Sequence, residues 1–137
     1  MEKTIAGNFD EFGFPFLQIQ VMNLPAELSV RVKAIVDTGA AHCLIREETA
    51  QQLKLEELRT ADYRHPVFGR MPLKEYLMNV RLGESSDAEG RIIRNIRAGT
   101  LVDPHYPADV ILGVELLQHL TIHYDGPKRS FYITLDE

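Results

Sequence analysis

The chain of 137 residues contains a single cysteine, Cys43. One cysteine can form neither an internal disulfide nor a cysteine-based metal site, which excludes both kinds of scaffold. No apolar run approaches the roughly 18 residues that a membrane-spanning helix needs. The N-terminus lacks the basic segment, the apolar stretch and the cleavage site of a signal peptide. These features predict a cytoplasmic protein without a membrane partner, since a free thiol fits a reducing compartment most simply.

The chain also lacks an excess of positive charge. Lys and Arg together number 15 against 20 Asp and Glu, which gives a formal net charge of −5. Proteins that bind the phosphate backbone usually present a basic face, so nucleic acid is not the expected partner. The hydrophobic fraction of 45% and the charged fraction of 26% are typical of a globular protein. At this length we expect a single domain over residues 1–137 with one core.

Alternation of apolar and polar residues predicts a mainly β structure. Strands are predicted at residues 14–21, 30–36, 76–82, 92–102, 110–113, 121–124 and 130–135. Two short helices are expected, at residues 46–53 and 114–120. Residues 58–71 contain the breakers Pro66 and Gly69 and predict a loop or a long hairpin. Seven to nine short strands indicate an all-β fold with a closed or sandwich-like sheet.

One predicted strand runs directly into Asp37, Thr38, Gly39 and Ala40. A carboxylate at the end of an apolar strand is costly to bury unless it is hydrogen-bonded. Asp37 is therefore a candidate functional residue. Gly39 allows a tight turn and the close approach of another group. Taken alone, an Asp-Thr-Gly tripeptide is more often a strand-ending turn than a catalytic site.

A second motif stands further along the chain, where Ile111, Leu112 and Gly113 end an uninterrupted apolar run. Together with residues 35–40, it resembles the paired motifs of the retropepsin-like aspartic proteases, the retroviral-type half-size members of the pepsin clan. The resemblance covers roughly residues 14–135, although only these two motifs are specific. It implies a closed acid-protease-type barrel of short strands and an aspartic endopeptidase that needs no cofactor and no metal.

The resemblance assigns the catalytic role to Asp37, which begins the only Asp-Thr-Gly or Asp-Ser-Gly sequence in the chain. The chemistry needs two carboxylates that share one proton. A homodimer is therefore implied, in which Asp37 of each chain meets on a two-fold axis and acts on a peptide or protein substrate. The supporting positions implied by the resemblance are Thr38, Gly39 and Ala40 in the loop, and Ile111, Leu112 and Gly113 packed behind it.

A β-hairpin flap that closes over the substrate is also implied by the resemblance. It would lie within residues 63–76, with Phe68, Gly69 and Arg70 at its tip. Retroviral flaps are rich in glycine, whereas this stretch contains only Gly69, and Pro66 and Pro72 would stiffen it.

The last predicted strand is fairly apolar on both faces, because Phe131, Ile133 and Leu135 alternate with Tyr132 and Thr134. Retroviral members weave their terminal strands into the dimer interface, and this pattern fits a strand covered by a partner. It fits equally well a core-facing strand with a half-exposed tyrosine.

Other candidate sites have simpler interpretations. His119 and His123 are four residues apart, but the second lies in a predicted strand, so a metal pair is not expected. Cys43 is expected to be a small buried residue and not a nucleophile. We expect Asp109 to pair locally with an arginine of residues 91–97.

Two alternative functions stay open on the sequence alone. The first is a catalytically inactive chain that keeps the retropepsin fold as a dimerisation or peptide-binding module, because an intact Asp37-Thr38-Gly39 is necessary for catalysis but not sufficient. The second is an unrelated β-barrel binding domain in which Asp37 merely ends a strand. The second alternative leaves the motif of Ile111, Leu112 and Gly113 without a role.

Overall fold

The computed structural model of the chain describes residues 3–65, 67, 69–83 and 91–135. Within these residues there are eleven strands and two short helices. In chain order they are β1 (Lys3–Ala6), β2 (Asn8–Phe9), β3 (Pro15–Met22), β4 (Ser29–Val36), β5 (Cys43–Arg46), α1 (Glu47–Gln52), β6 (Glu56–His65), β7 (Gly69–Leu82), β8 (Arg91–Leu101), β9 (Val110–Leu112), α2 (Val114–Leu117), β10 (Thr121–Asp125) and β11 (Ser130–Leu135).

Eight strands form one sheet in the order β2-β3-β4-β9-β5-β8-β7-β6. An additional antiparallel pairing of β3 with β7, which joins Val21 to Val80, closes six of these strands into a barrel. The prediction of a mainly β, closed barrel with short helices is thereby confirmed. Strands β2 and β6 continue the sheet beyond the closed part.

The barrel encloses the hydrophobic core because its strands alternate inward and outward side chains. In β3, for example, Leu17, Ile19 and Val21 are buried while Gln18 is exposed. Strand β9 is short and buried along its whole length, which suits its position between β4 and β5. The largest fully buried side chains include Leu17, Ile19, Ile45, Met78, Leu82, Leu112, Leu116 and Ile133.

The predicted count of seven to nine strands was too low. Strands β1 and β2 are short and carry little alternation, so the pattern did not reveal them. Strand β5 follows the loop after Asp37 and leads straight into α1, without the turn residues that mark most strand ends. Its identity as a strand comes from pairing with β8 and β9, which are distant in sequence.

A second sheet of three strands has the order β1-β11-β10. Phe131, Ile133 and Leu135 of β11 are buried and belong to the same core cluster as the barrel residues, whereas Tyr132 is exposed. Within one chain, β11 is therefore a core-facing strand with a half-exposed tyrosine. Strand β1 pairs with β11 of the same chain, from Lys3 opposite Leu135 onward. Among the described residues, no helix has the length and apolar character needed to cross a membrane.

Candidate active site

The two sequence motifs lie side by side because β4 and β9 are parallel neighbours. Ile35 is opposite Ile111 and Val36 is opposite Leu112. The ladder continues for one further bond, in which the backbone N–H of Asp37 donates to the carbonyl oxygen of Leu112 at 3.0 Å. The position of Asp37 is thus fixed by a buried strand on which the second motif lies, and the carboxylate emerges where β4 ends.

The carboxylate of Asp37 is oriented by its own loop. The backbone N–H of Gly39 donates to Asp37 Oδ1 at 2.9 Å, and the N–H of Ala40 donates to the backbone carbonyl of Asp37 at 3.2 Å. Asp37 is half-buried, while Thr38 and Gly39 are exposed. Within the described residues, the carboxylate makes no other hydrogen bond. One carboxylate oxygen is therefore held in place and the other is free to bind a water or a second carboxyl group.

Gly113 supports the loop from behind by leaving room for its backbone. A Cβ atom at this position would lie 2.7 Å from the carbonyl oxygen of Ala40 and would overlap the carbonyl group of His42. Directly after Gly113, the N–H of Val114 donates to the carbonyl oxygen of Ala40 at 2.8 Å. The N–H of Glu115 donates to the carbonyl of Ala41 at 3.3 Å. The loop after Asp37 is consequently anchored on the first turn of α2.

A surface pocket of about 520 Å³ adjoins the loop on its exposed side. Its lining is mostly apolar and comes from the barrel and from the three-stranded sheet: Pro15, Val36, Thr38, Ile122, Tyr124 and Phe131. Because Thr38 shares this pocket with β10 and β11, the exposed surface around Asp37 continues onto the three-stranded sheet.

The interval in which the flap is predicted, residues 63–76, lies inside the long hairpin of β6 and β7. The two strands pair from Glu56 opposite Leu77 out to His65 opposite Gly69. Gly69 has a φ of 72°, which favours glycine, and Arg70 is exposed. Phe68, the remaining residue of the predicted tip, is outside the described residues, as is Pro66. The turn signals of the sequence located this hairpin but not its length.

The sequence led us to expect that Asp109 pairs with an arginine of residues 91–97. In the structure its partner is Arg46 instead. Its carboxylate accepts a hydrogen bond from Arg46 Nε at 3.2 Å. The expectation failed because β5 pairs with β9, where Ile45 is opposite Val110, and this places Arg46 beside Asp109. Arg46 Nη2 also donates to the carbonyl oxygens of Tyr106 and Ala108, both at 2.7 Å.

The charge of Asp37 acts on the phenol of Tyr106, a relationship that no pattern in the sequence predicts. Burial and the negative charges of Asp37, Asp10 and Asp103 raise the pKa of its phenol above the ordinary value. Its loop is fixed by the bonds from Arg46 described above. Only the folded arrangement shows that the charge of Asp37 acts on this ring.

The remaining candidates from the sequence lie elsewhere. Cys43 is buried, and burial raises the pKa of its thiol to about 11, so it is a poor nucleophile at neutral pH. His119 is exposed, and His123 stacks on Tyr132 with ring centroids 4.3 Å apart. In the part of the chain that the structure describes, no group of three or more His, Cys, Asp or Glu side chains is arranged to hold a metal ion.

The family model that matches the chain and two similar solved structures are all described as proteases. The family model described as gag-polyprotein putative aspartyl protease matches residues 29–119, which include both motifs. The fold is similar to the crystal structure of a retropepsin-like aspartic protease from Rickettsia conorii, with a TM-score of 0.66 and 19% identity over 98% of this chain and 92% of that one. It is also similar to EIAV protease complexed with the inhibitor HBY-793, with a TM-score of 0.52 and 18% identity over 81% of this chain and 91% of that one. None of the curated proteins matches the chain.

Proposed function

Because the chain belongs to the gag-polyprotein aspartyl protease family, we propose that it is an aspartic endopeptidase whose two catalytic carboxylates come from Asp37 of two identical chains. The observation that carries this proposal is the Asp37 carboxylate itself. Oδ1 is fixed by the N–H of Gly39 at 2.9 Å, and the group stands at the end of a buried strand beside an exposed loop. Each chain contains one Asp-Thr-Gly, so a pair of carboxylates requires two chains.

In the proposed reaction, the two carboxyl groups share one proton. The ionised carboxylate removes a proton from a bound water as the water oxygen attacks the carbonyl carbon of the peptide. The protonated carboxyl group donates to the carbonyl oxygen in the same step. The C–N bond then breaks as one carboxyl group gives its proton to the amine nitrogen, while the other carboxylate takes a proton from a hydroxyl of the tetrahedral intermediate, so that the pair again holds one proton. The water is divided between the new carboxyl group and the new amine, without a metal or a covalent intermediate.

The exposed side of the loop supports assembly about a two-fold axis. Thr38 and Gly39 are exposed, and a Cβ atom at Gly39 would lie 3.3 Å from Asp37 Oδ1. The exposed position of Gly39, which has no side chain, would allow a partner's loop to approach closely, while the hydroxyl of Thr38 would brace it. The apolar pocket next to Thr38, with the exposed ring of Tyr124, would then lie at the interface.

The hairpin of β6 and β7 is the proposed flap over the peptide substrate, with Gly69 and Arg70 near its tip. We also assign the chain as a single domain, because the barrel and the three-stranded sheet share one core cluster. The cytoplasm suits the single cysteine, since Cys43 is a free and buried thiol.

The proposal is tested by the variant Asp37→Asn, assayed for hydrolysis of a peptide library and for folding by circular dichroism. We expect hydrolysis to be lost and the fold to be kept, because the amide preserves the shape but cannot share the proton. Asp103→Asn is a matched control, since Asp103 Oδ1 likewise accepts the N–H of the second residue along, His105, at 2.9 Å. Cleavage by purified Asp37→Asn would refute the mechanism. A wild-type dimer that binds peptides but cleaves none would favour the inactive peptide-binding module.

A further inference from the structure

The hairpin of β6 and β7 curls back over β8. Arg59 of β6, Glu75 of β7 and Gly99 of β8 occupy one row across the three strands. Tyr63 lies four residues beyond Arg59 toward the hairpin tip. On a flat sheet its Cα atom would be about 13 Å along the strands and about 10 Å across them from Gly99. A tyrosine side chain cannot span that distance, yet the ring of Tyr63 contacts Gly99. The hairpin must therefore bend toward β8.

Gly99 provides the surface on which the ring of Tyr63 rests. A Cβ atom at Gly99 would lie 2.9 Å from Cζ of Tyr63 and 3.0 Å from its hydroxyl oxygen, closer than ordinary contact allows. The absence of a side chain at this position is thus what lets the phenol approach the backbone of β8. The same hypothetical atom would lie 3.1 Å from Leu44 of β5, so the side chains of Tyr63 and Leu44 both border the space above Gly99.

The hydroxyl of Tyr63 donates a hydrogen bond to Glu75 Oε2. Glu75 is 3% exposed, and its other oxygen, Oε1, accepts from Arg59 Nε at 2.7 Å. Burial by itself would raise the pKa of the Glu75 carboxyl, but the bonds from Arg59 and Tyr63 outweigh it and lower the pKa. The acceptor is therefore an ionised carboxylate, and hydrogen bonds to ionised groups are about twice as strong as neutral ones.

Tyr63 also touches the loop that follows Asp37. Its ring meets the ring of His42 edge-on, with centroids 5.4 Å apart and an interplanar angle of 77°. His42 in turn bonds through Nδ1 to Glu115 at 2.9 Å, and Glu115 accepts from Arg97 at 3.0 Å. The backbone carbonyl of His42 faces Gly113. One side chain of the hairpin is thus connected to both segments that carry the sequence motifs.

We propose that Tyr63 is a positioning residue that holds the β6–β7 hairpin over the loop after Asp37, with its hydrogen bond to buried Glu75 as the main restraint. The hydroxyl keeps the hairpin bent, and the edge contact with His42 sets the distance between the hairpin and the catalytic loop. Its effect on peptide hydrolysis rests on the proposed function, whereas its effect on the hairpin does not.

The direct test is hydrogen–deuterium exchange on Tyr63→Phe, which removes the hydroxyl and keeps the ring. We expect the amides of residues 56–65 and 69–75 to exchange about tenfold faster, the factor for loss of one hydrogen bond to a charged group. Amides of β3 and β4 should keep their wild-type rates. Tyr132→Phe is the matched control, because Tyr132 is an exposed tyrosine in the other sheet. Gly99→Ala, which displaces the ring, should accelerate the same hairpin amides.

Unchanged exchange rates of the hairpin amides in Tyr63→Phe would overturn the proposal. Equal acceleration of the amides of β3, β4 and the hairpin would also overturn it, because that result indicates general destabilisation. Because these rates are measured without substrate, they are independent of whether the protein cleaves peptides. In an active preparation, Tyr63→Phe should raise KM about tenfold and change kcat by less than about twofold, since the hairpin contributes to substrate binding and not to the chemical step. A fall in kcat at constant KM would contradict the positioning role.

Discussion

The Cα atom of Gly113 faces the backbone carbonyl of His42 so closely that no side chain fits between them. The carbonyl oxygen of Ala40 is the next obstacle, 2.7 Å from where a Cβ atom would lie. Both neighbours are backbone groups of the loop that carries Asp37, and neither can rotate away as a side chain could. The fit between the two motifs therefore depends on a glycine at position 113.

Gly113→Ala should accordingly destabilise the fold by about 3 kcal/mol or more, since added volume in a tightly packed site forces the backbone to shift. The measurement is the midpoint of urea denaturation. Gly126→Ala is the matched control, because the nearest atom to its added methyl would be Tyr124 Cε1 at 3.6 Å, an ordinary contact. Its stability should stay within about 0.5 kcal/mol of the wild type. Equal midpoints for the two variants would show that the loop is not packed on Gly113 as described.

Asp10 forms an acid-sensitive contact at a distance in the sequence from the loop that follows Asp37. Its carboxylate accepts the backbone N–H groups of Phe12 and Phe14 and the ammonium of Lys33, each at 2.9 Å. Burial alone would raise the pKa of this carboxyl, but these three bonds outweigh burial and lower the pKa below 3.8. The stability contributed by ionised Asp10 is therefore fully present above pH 3.8 and is lost as the pH falls through the lower value of the folded state.

Asp10→Asn should lower the free energy of unfolding by about 1–3 kcal/mol at neutral pH, because the hydrogen bonds then lack a charged acceptor. The difference from the wild type should shrink as the pH falls below 3.8. Urea denaturation at several pH values measures it. Asp125→Asn is the control, since Asp125 accepts a single backbone bond, from Lys128 at 3.1 Å. A stability difference for Asp10→Asn that stays constant down to pH 2 would exclude ionised Asp10 as the cause.

Local patterns were sufficient to predict five of the six strands of the closed barrel, namely β3, β4, β7, β8 and β9, but not β5. Leu17, Ile19 and Val21 alternate with polar residues, and this period places one face of β3 inside. The apolar run of β9 likewise indicated a strand covered on both faces. These features depend on side chains close together in the sequence, so the sequence alone reveals them.

Contacts between distant segments could not be predicted in the same way. Nothing near Arg46 indicates that it lies beside Asp109, since that follows from the pairing of β5 with β9. The reach of Tyr63 to Gly99 depends on the bend of a hairpin whose strands each look like ordinary alternating segments. The motif of Asp37 was recognisable because it is contiguous, whereas the residues that surround it are assembled by the sheet order.

If the site is shared between two copies of Asp37, the peptidase rate of a mixture of wild-type and variant chains can be predicted quantitatively. When wild-type protein is mixed with nine equivalents of Asp37→Asn, at a total concentration above the dimer constant, only about one wild-type chain in ten keeps a wild-type partner. The decisive measurement is the peptidase rate per wild-type chain in this mixture, with dimer content determined in parallel by sedimentation and Asp103→Asn as the control additive. The two-chain site predicts that Asp37→Asn lowers the rate to about one tenth and that Asp103→Asn does not. An unchanged rate per wild-type chain in the presence of excess Asp37→Asn would contradict it and place the complete catalytic site within a single chain.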